Sequence, residues 1–498
     1  MRSKTYALAL MAGSILAATP ALAQSSTPPA TAATSNDTPA GDDGSAAQVQ
    51  PAASTDVMAR TEALQAQVEA LQQQLEQIKK QLAVAKPSWK GAPQFEDKEA
   101  GFTFKPKGLL QFDTGFVSNP HDAIPTNSLG YNSRARRLVF GAEGTLPGGF
   151  GYKAEFNFAG GSVDYEDVVL TYALKDKPIQ FTIGNFYPLS GLETMTSSRL
   201  TSFLERAQAV DAFGFSRRLG AAVGLADKDD LYTLTAGIFN GTIQSGFNND
   251  MWQASVRGTY SPKIGDNGRL HLGANYQHRE TQSDAQNVRY RARPFTQLTD
   301  VRFADTGAIA ARSDDVVGVE LAGIFGPLHF ASEGHMTWVN GYRPGAVFDD
   351  LDGVAGAAFY ADDPTFKSGY VEIGYFLTGE SRGYKGGKWD RVKVLKPFND
   401  GGWGALQLNA RVDYLDLKDR TADGPLGAPN FINGGTQTGY QLSAIWNPND
   451  YVRFLLQYAH IAVEGGPQAA VVEPDSTEGA DDRSYSADSV ALRAQVEF

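Results

Sequence analysis

The chain has 498 residues, of which 20% are charged and 11% are aromatic, with a formal net charge of −12 and no cysteine. The lack of cysteine excludes disulfides and thiolate metal sites. Past the first residues no stretch offers 18 consecutive apolar side chains, which excludes transmembrane helices but not a membrane β-barrel, whose signal per segment is weaker.

The first 23 residues have the pattern of a secretory signal peptide. Arg2 and Lys4 precede the apolar run YALALMAGSILAATPALA, which ends at small residues suited to cleavage after Ala23. A short apolar run with this ending favours a cleaved signal over a membrane anchor. Its removal lowers the formal net charge to −14, because two positive charges are lost.

The next segments predict a linker and a helix. Residues 24–56 are rich in Ser, Thr, Pro, Ala, Asp and Gly, a composition typical of a disordered linker. Residues 57–86 predict a coiled-coil helix, followed by a second linker over 87–100. The apolar seam at alternating steps of four and three consists of Leu64, Val68, Leu71, Leu75, Ile78 and Leu82. Such a seam predicts self-association, and a lone amphipathic helix lying on a barrel is the alternative.

From residue 101 to residue 498 the pattern predicts an all-β fold, an antiparallel transmembrane β-barrel of about 16 strands. The last strand is the clearest, with Val490, Leu492, Ala494, Val496 and Phe498 on one face and Ala491, Arg493, Gln495 and Glu497 on the other. A soluble sandwich would also alternate, but strands of about ten residues, charged side chains on the polar faces, and short turns alternating with long polar loops favour a membrane barrel. The terminal aromatic Phe498 resembles the signal that such barrels present to their assembly machinery.

The segment NVRYRARPF, residues 287–295, places Arg289, Arg291 and Arg293 at every second position. In an extended segment these three side chains share one face, where they would focus a positive potential along a pore. Pairing with acidic loops, or with lipopolysaccharide phosphates, is the alternative reading.

Several stretches resemble the phosphate- and polyphosphate-selective porins (O/P porins) of Gram-negative outer membranes. They are RRLVFGAEG (136–144), GLETMTSSRLTSFLERAQAVDAFGFSRRLG (191–220), RYRARP (289–294), ADTGAI (304–309) and GWGALQLNARVDYLDL (402–417). The resemblance covers residues 101–498 and implies a homotrimer whose third loop folds into the pore as a constriction. It also implies a line of arginines that leads from the mouth to that constriction.

The resemblance implies roles for individual residues. Arg136 and Arg137 match paired arginines that enter the second strand, Arg134 extends them, and strand parity favours Arg137 as the lumen residue. The implied ligands of the third loop are Ser197, Ser198 and Arg199, with arginine where the family is expected to have lysine, and Asp167 resembles a carboxylate that faces the constriction. Lys105, Lys107, Lys393 and Lys396 resemble a basic cluster on the periplasmic side, and the long turn near 379–402 is expected to fold inward. Leu109 stands where the family often has arginine.

These observations predict a passive anion channel for phosphate or polyphosphate in the outer membrane, with lipid and the barrel assembly machinery as partners. No cofactor, metal site, nucleic-acid partner or catalytic arrangement is indicated by the residues. A weakly selective general diffusion porin, and a structural tether that uses its coiled coil, are the alternatives.

Overall fold

The structure, a computed structural model, describes residues 53–85, 88–89, 91–97, 99–244, 251–281, 286–343, 356–420 and 431–498. The predicted signal peptide and residues 24–52 of the predicted linker lie outside this part of the chain. Among the described residues, no helix is both long and apolar enough to cross a membrane.

The N-terminal helix α1 spans Ala53–Ala85, whereas the sequence predicted its start at residue 57. The chain divides into two units between Leu75 and Glu76, and this boundary falls within α1. Leu64, Val68, Leu71 and Leu75 of the predicted seam are all more than half exposed in the single chain. The side chains of Ile78 and Leu82 lie outside the described residues. Whether the helix associates with copies of itself stays a prediction.

Sixteen long strands follow, and each pairs antiparallel with the next one along the chain. They are β1 (Phe102–Val117), β2 (Gly130–Leu146), β3 (Phe150–Asn157), β4 (Asp164–Ala173), β5 (Ile179–Phe186), β6 (Arg218–Ala226), β7 (Tyr232–Phe239), β8 (Gln253–Tyr260), β9 (Gly268–Glu280), β10 (Ile309–Phe325), β11 (Leu328–Gly341), β12 (Thr365–Phe376), β13 (Ala405–Arg420), β14 (Phe431–Asn447), β15 (Val452–Glu464) and β16 (Ser484–Glu497).

The sheet closes on itself because β16 pairs with β1, from Ser489 opposite Val117 to Glu497 opposite Leu109. Closure leaves neither of these strands with an unpaired edge. Past the end of β16, the backbone N–H of Phe498 donates to the carbonyl oxygen of Gly108 at 3.2 Å, and Gly108 returns the bond at 3.0 Å. The predicted 16-stranded antiparallel barrel is therefore confirmed.

The alternation predicted for β16 is present in the structure. Leu492 and Val496 are exposed on the outer face, whereas Arg493, Gln495 and Glu497 are buried on the inner face. Apolar side chains face outward and polar side chains face the lumen, as a membrane barrel requires.

The segment 87–100, predicted as a linker, contains two short strands, Ser88–Trp89 and Pro93–Asp97. They pair with each other, and Phe95 lies opposite Phe104 of β1, so the second strand adds to the end of the barrel sheet. The turn between them contains Gly91 with a φ of 83°, a value that glycine adopts readily.

Three connections occupy the barrel interior: the third loop (187–217), the described part of the fifth loop (286–308) and the long turn (377–404). The third loop contains two short helices, α2 (Leu192–Met195) and α3 (Gln208–Ala212). The remaining short elements are strands Lys263–Ile264, Asn287–Val288, Arg291–Ala292, Ala304–Asp305, Gly383–Lys385 and Lys388–Asp390, 3-10 helices Pro120–Asp122 and Phe398–Asp400, and helix α4, Ala469–Val472.

The apolar core lies inside the barrel, between these inserted connections and the inner wall. Phe213 of the third loop and Tyr290 of the fifth loop pack with Phe366 and Leu415 of the wall in one buried cluster. This packing fixes both loops against the strands, so the channel is confined to the space that they leave. We call the end of the barrel with the long loops the loop side and the opposite end the turn side.

Candidate functional site

The third loop is held against the inner wall by side chains of β11 to β16. Arg411 of β13 is fully buried between the rings of Phe203 and Tyr370, with its guanidinium carbon 4.4 and 4.6 Å from the two ring centroids. Its Nη2 donates to Glu193 of the loop at 2.9 Å and to Glu372 of β12 at 2.6 Å. This arrangement fixes the path of the loop across the lumen.

Further bonds hold the same loop along its length. Asp413 accepts the backbone N–H of Gln208 at 3.0 Å, and Arg493 donates to the carbonyl oxygen of Leu204 at 2.6 Å. The side chain of Gln457 accepts the backbone N–H of Leu204 at 2.8 Å. These bonds fix the third loop against the inner wall at several points along its length.

A β-bulge in β2 brings more arginines to the lumen than strand parity predicts. Gln111 pairs with Arg137 but Phe112 pairs with Ala135, so Arg136 is an extra residue in the strand. An extra residue shifts the alternation by one position. The shift places Arg134 on the inner face as well, so the parity argument that favoured Arg137 alone was incomplete.

The three arginines of β2 have different partners. Arg136 donates two hydrogen bonds to the Glu205 carboxylate of the third loop, at 2.8 and 2.9 Å. Arg134 donates to the carbonyl oxygen of Gln297 in the fifth loop at 2.7 Å, and Arg137 donates to Gln111 Oε1 at 2.8 Å. Arg136 is therefore neutralised locally. Arg137 has no carboxylate oxygen within 4 Å in the described part of the chain.

A second bulge, in β4, brings two neighbouring carboxylates to the inner face of the barrel. Ala154 pairs with Val168 but Phe156 pairs with Tyr165, so both Glu166 and Asp167 reach the inner face. Arg217 binds Glu166 at 2.5 Å and Asp167 at 2.6 Å, and Lys153 binds Asp167 at 2.7 Å. The predicted lumen carboxylate Asp167 is thus present on the inner wall, but two basic side chains compensate its charge.

Ser197, Ser198 and Arg199 lie where the third loop approaches β1, β3 and β16. The carbonyl oxygen of Ser198 accepts a bond from Gln111 Nε2 at 3.3 Å, and Ser197 Oγ accepts the backbone N–H of Arg199 at 3.4 Å. Arg199 pairs with Glu155 at 2.7 Å and lies 3.5 Å from Glu497. The guanidinium of Arg199, the basic side chain of this segment, is therefore already close to two carboxylates.

The fifth-loop arginines alternate with buried side chains, as an extended segment requires. Tyr290 and Ala292 are at most 2% exposed, whereas Arg289 and Arg291 are exposed. Arg289 makes a bidentate pair with Asp305, at 2.8 and 2.6 Å. In the described chain Arg291 has no ion-pair partner.

Arg293, the third of the row, lies deeper than the other two. Its backbone N–H donates to Asp211 of the third loop at 2.9 Å, and its guanidinium lies 3.7 Å from the same carboxylate and 3.5 Å from Asp300. The row thus runs from an exposed position to the contact between the fifth and third loops.

These groups meet around a cavity of about 440 Å³ on the loop side of the third loop. Five arginines line it: Arg136, Arg137, Arg206, Arg217 and Arg293. The carboxylates that line it are Asp164, Glu166, Glu205 and Asp211. Burial alone would raise the pKa of the Glu205 carboxyl, but Arg136 and Arg493 hold that pKa well below its usual range. Glu205 therefore carries a full negative charge inside the cavity.

Two arginines of this cavity contact Tyr187. Arg206 and Arg217 lie over its ring, 5.2 and 4.3 Å from the centroid, and each donates to its hydroxyl oxygen at 3.2 Å. Burial would raise the pKa of the Tyr187 hydroxyl, but the two arginines hold that pKa below its ordinary value. Within the described residues, the other acceptors of Arg206 are the carbonyl oxygens of Glu193 and Thr196, at 2.9 and 2.6 Å.

The long turn enters the lumen from the turn side, as expected for 379–402. Trp389 is buried against Leu192 of the third loop, and its backbone N–H donates to Thr196 Oγ1 at 3.3 Å. Arg257 of β8 donates to the carbonyl oxygen of Gly387 at 2.7 Å. The long turn therefore packs against the third loop from the turn side.

The four predicted turn-side lysines occupy two different settings. Lys105 and Lys107 lie on the inner face of β1, and Lys107 pairs with Glu143 at 3.1 Å. Lys393 and Lys396 are exposed in the long turn. Leu109, at the position where arginine was expected, is 1% exposed on the inner face.

Several groups of the site were not named as site residues in the sequence analysis. Asp113 and Arg493, which form a buried bidentate pair at 2.6 and 2.7 Å, lie on inward positions of β1 and β16 and follow from the alternation. Tyr187, Glu205 and Arg206 lie in the third loop, where no periodicity indicates which side chain faces the lumen. In the described residues, no group of three or more His, Asp or Glu side chains could hold a metal ion.

A closed 16-stranded barrel whose interior is narrowed by its own loops defines the class of porin-type channels. The family model described as "Phosphate-selective porin O and P" matches residues 104–498. A protein of Caulobacter vibrioides is 35% identical over 390 residues, which cover 76% of this chain and 72% of that protein. Porin O of Pseudomonas aeruginosa is 25% identical over 406 residues, 74% of this chain and 85% of that protein.

Among solved structures, the anion-selective porin from Comamonas acidovorans aligns with a TM-score of 0.44 and 11% identity, over 80% of this chain and 100% of that one. The family match and the similarity to the Caulobacter protein each establish the family of this chain. The chain belongs to the phosphate-selective porin O and P family, and it is an outer-membrane porin channel.

Proposed function

We propose that this porin passes anions passively and prefers phosphate or polyphosphate, with no catalytic step. The cavity at the loop side of the third loop carries the proposal. In the described residues, two of its arginines, Arg137 and Arg206, have no carboxylate oxygen within 4 Å, and Arg206 and Arg217 together donate to the Tyr187 hydroxyl oxygen at the cavity wall. An anion that enters would complete the neutralisation of these groups.

The chemistry suits an oxyanion. A guanidinium stays charged and donates parallel hydrogen bonds that match phosphate oxygens. The low-dielectric wall of the barrel focuses the positive potential along the lumen, which raises the local concentration of anions. Conduction also needs release, and the carboxylates Glu205, Glu166 and Asp211 beside the arginines keep binding weak enough for the anion to leave.

A second candidate function, weakly selective general diffusion, is favoured by one specific observation. Several lumen arginines are paired with carboxylates within 3 Å: Arg136 with Glu205, Arg199 with Glu155, Arg217 with Asp167, Arg257 with Glu320 and Arg493 with Asp113. Such pairing reduces the net field that an anion meets. The two functions differ in whether phosphate blocks the chloride current.

Assembly and export belong to the same proposal. The chain is exported by its N-terminal signal, is inserted by the barrel assembly machinery that reads the terminal Phe498, and forms a homotrimer in the outer membrane. The seam of α1 supports self-association because its four described apolar residues are each more than half exposed.

The test is phosphate block of chloride current in planar bilayers, with Arg137→Gln as the decisive variant. The substitution removes the charge but keeps a side-chain amide that can bond to Gln111. We expect the phosphate concentration for half-block to rise about three- to tenfold, corresponding to roughly 1 kcal/mol of screened charge-assisted bonding. Absence of phosphate block in the wild type would favour general diffusion instead, and a half-blocking concentration that Arg137→Gln leaves unchanged would show that phosphate does not bind at Arg137.

A further inference from the structure

A cleft of about 690 Å³ lies on the loop side, where the first loop (118–129) and the start of β2 meet residues 297–300 of the fifth loop. Gln297 lines both this cleft and the arginine-lined cavity described above. The two linings differ in chemistry. Seven of the twelve residues around the cleft carry a hydroxyl or a side-chain amide, whereas one is an arginine and one an aspartate. The cleft is therefore mainly a neutral hydrogen-bonding surface.

The hydroxyl groups of the cleft connect the first loop with the fifth. Thr126 Oγ1 lies 3.0 Å from Ser128 Oγ, which in turn lies 3.1 Å from Thr299 Oγ1. Asn132 of β2 donates from Nδ2 to the carbonyl oxygen of Ser128 at 3.0 Å. These bonds hold the walls of the cleft to each other.

Amide groups of the lining keep hydrogen-bonding capacity for a solute. Within the described residues, the side-chain amides of Asn127 and Gln297 make no hydrogen bond, and Asn132 Oδ1 accepts none. A side-chain amide offers two N–H donors and an accepting oxygen, and a solute hydroxyl group both donates and accepts. These side chains therefore match a molecule with several hydroxyl groups.

Arg134 is the cation of the cleft. Its Nη1 donates to the carbonyl oxygen of Gln297 at 2.7 Å, and in the described chain its guanidinium has no carboxylate oxygen within 4 Å. The side chain is exposed, so its other N–H groups are open to a solute. Asp300, the acidic residue of the lining, lies 3.5 Å from Arg293. The cleft thus combines one uncompensated guanidinium with neutral amides and hydroxyls.

We propose that this cleft binds the hydroxylated part of a phosphorylated polyol, such as a sugar phosphate, while Arg134 holds the phosphate group. The inference rests on the proposed anion pathway and names a class of substrate for it: small phosphate monoesters that carry several hydroxyl groups. The cleft volume lies within the range of small-molecule sites. Among the described residues that line it there is no aromatic ring, so a nucleobase would find no stacking partner.

A loop surface that is only hydrated is the competing account. Two probes separate the accounts in planar bilayers: glucose 6-phosphate and cyclohexylmethyl phosphate. Both are phosphate monoesters with a six-membered ring, but the second has no hydroxyl group. The measurement is the concentration of each ester that blocks half of the chloride current, with inorganic phosphate as the reference anion.

The variant is Asn127→Leu/Gln297→Met, which replaces two amides with apolar side chains of similar size. Neither amide makes a hydrogen bond within the described residues, so the loops keep their internal bonds. The matched control is Asn399→Leu/Gln72→Met, the same two changes at exposed residues of the long turn and of α1.

We expect glucose 6-phosphate to half-block the wild type at a concentration about three- to tenfold below that of cyclohexylmethyl phosphate. The Asn127→Leu/Gln297→Met variant should reduce this ratio to less than about twofold, and the control should keep it. Equal half-blocking concentrations of the two esters in the wild type would overturn the polyol site, as would a ratio that the variant leaves unchanged. Block by inorganic phosphate in the same channels would then leave the proposed function standing. A wild type that neither ester nor inorganic phosphate blocks would contradict both.

Discussion

Glu205 lies between two arginines of the lumen, 2.8 Å from Arg136 Nε and 3.0 Å from Arg493 Nη2. Its carboxylate stays ionised because these cations hold its pKa well below the usual range. Replacing it by glutamine should therefore strengthen the positive potential of the loop-side cavity. We expect Glu205→Gln to lower the half-blocking phosphate concentration about two- to tenfold in planar bilayers.

The matched control for this substitution is Glu464→Gln. Glu464 is a partly exposed carboxylate near the loop-side end of β15, where it pairs with Lys418. The same chemical change there should leave phosphate block unaltered, since the site lies away from the cavity lining. Weaker block in Glu205→Gln would show that Glu205 holds the constriction open and does not set its potential.

Gly108 illustrates a single residue on which barrel closure depends. A Cβ atom at this position would lie 2.1 Å from the ring of Phe498, whereas at Gly334 the nearest atom would be 3.8 Å away. Gly108→Ala should displace the terminal ring and destabilise the closing pair of strands by about 1–3 kcal/mol. We expect less folded, heat-modifiable barrel on gels for Gly108→Ala than for the control Gly334→Ala. Equal yields would show that the ring shifts without cost.

At the scale of elements, the third loop depends on Arg411. Removing its side chain would leave Glu193 and Glu372 buried without their shared partner, a change that typically costs about 3–5 kcal/mol. We expect Arg411→Leu to release the loop from the wall, which widens the passage and raises single-channel conductance and current noise. Arg420→Leu, at the end of the same strand, is the control because its guanidinium stacks on Phe431 of the neighbouring strand β14. Normal conductance in Arg411→Leu would show that the remaining bonds suffice to hold the loop.

Strands were predictable from the sequence to the extent that their alternation is regular. The inward positions of β16 and the outward aromatics of β3 follow directly from a period of two. The bulges at Arg136 and at Glu166 do not, because one extra residue reverses the faces without changing the composition. Strand parity therefore favoured Arg137 and Asp167, whereas Arg134 and Arg136 were assigned to the lumen only through the family resemblance and Glu166 was not named.

Loop positions could be predicted only through the resemblance to a family. Arg289, Arg291 and Arg293 alternate as expected, yet the bidentate pairing of Arg289 with Asp305 depends on a turn that brings residues 16 apart together. The cavity around Tyr187 and Arg206 likewise depends on where the third loop meets the wall. No local pattern encodes such contacts, since they arise from tertiary packing.

For the whole molecule, we expect the N-terminal helix to make the oligomer more stable than contacts between barrels alone would make it. Leu71 and Leu75 are 63% and 53% exposed in the single chain, so burial in a helix bundle would remove apolar surface from water. We expect Leu71→Asn/Leu75→Asn to lower the temperature at which the oligomer dissociates on gels while the barrel stays folded. Gln72→Asn/Gln73→Asn, outside the seam, should have little effect. A wild-type protein that sediments as a monomer in detergent at all concentrations would contradict self-association.

We propose that a chain with a formal net charge of −12 forms an anion-selective pore, because the lumen and not the total charge sets the local potential. The most direct test is the reversal potential of the wild-type channel under a potassium chloride gradient, measured before and after phosphate is added. The structure predicts the sign set by chloride, together with a chloride current that falls as phosphate occupies the arginine-lined cavity. A reversal potential with the sign set by potassium, or one near zero that phosphate leaves unchanged, would contradict it.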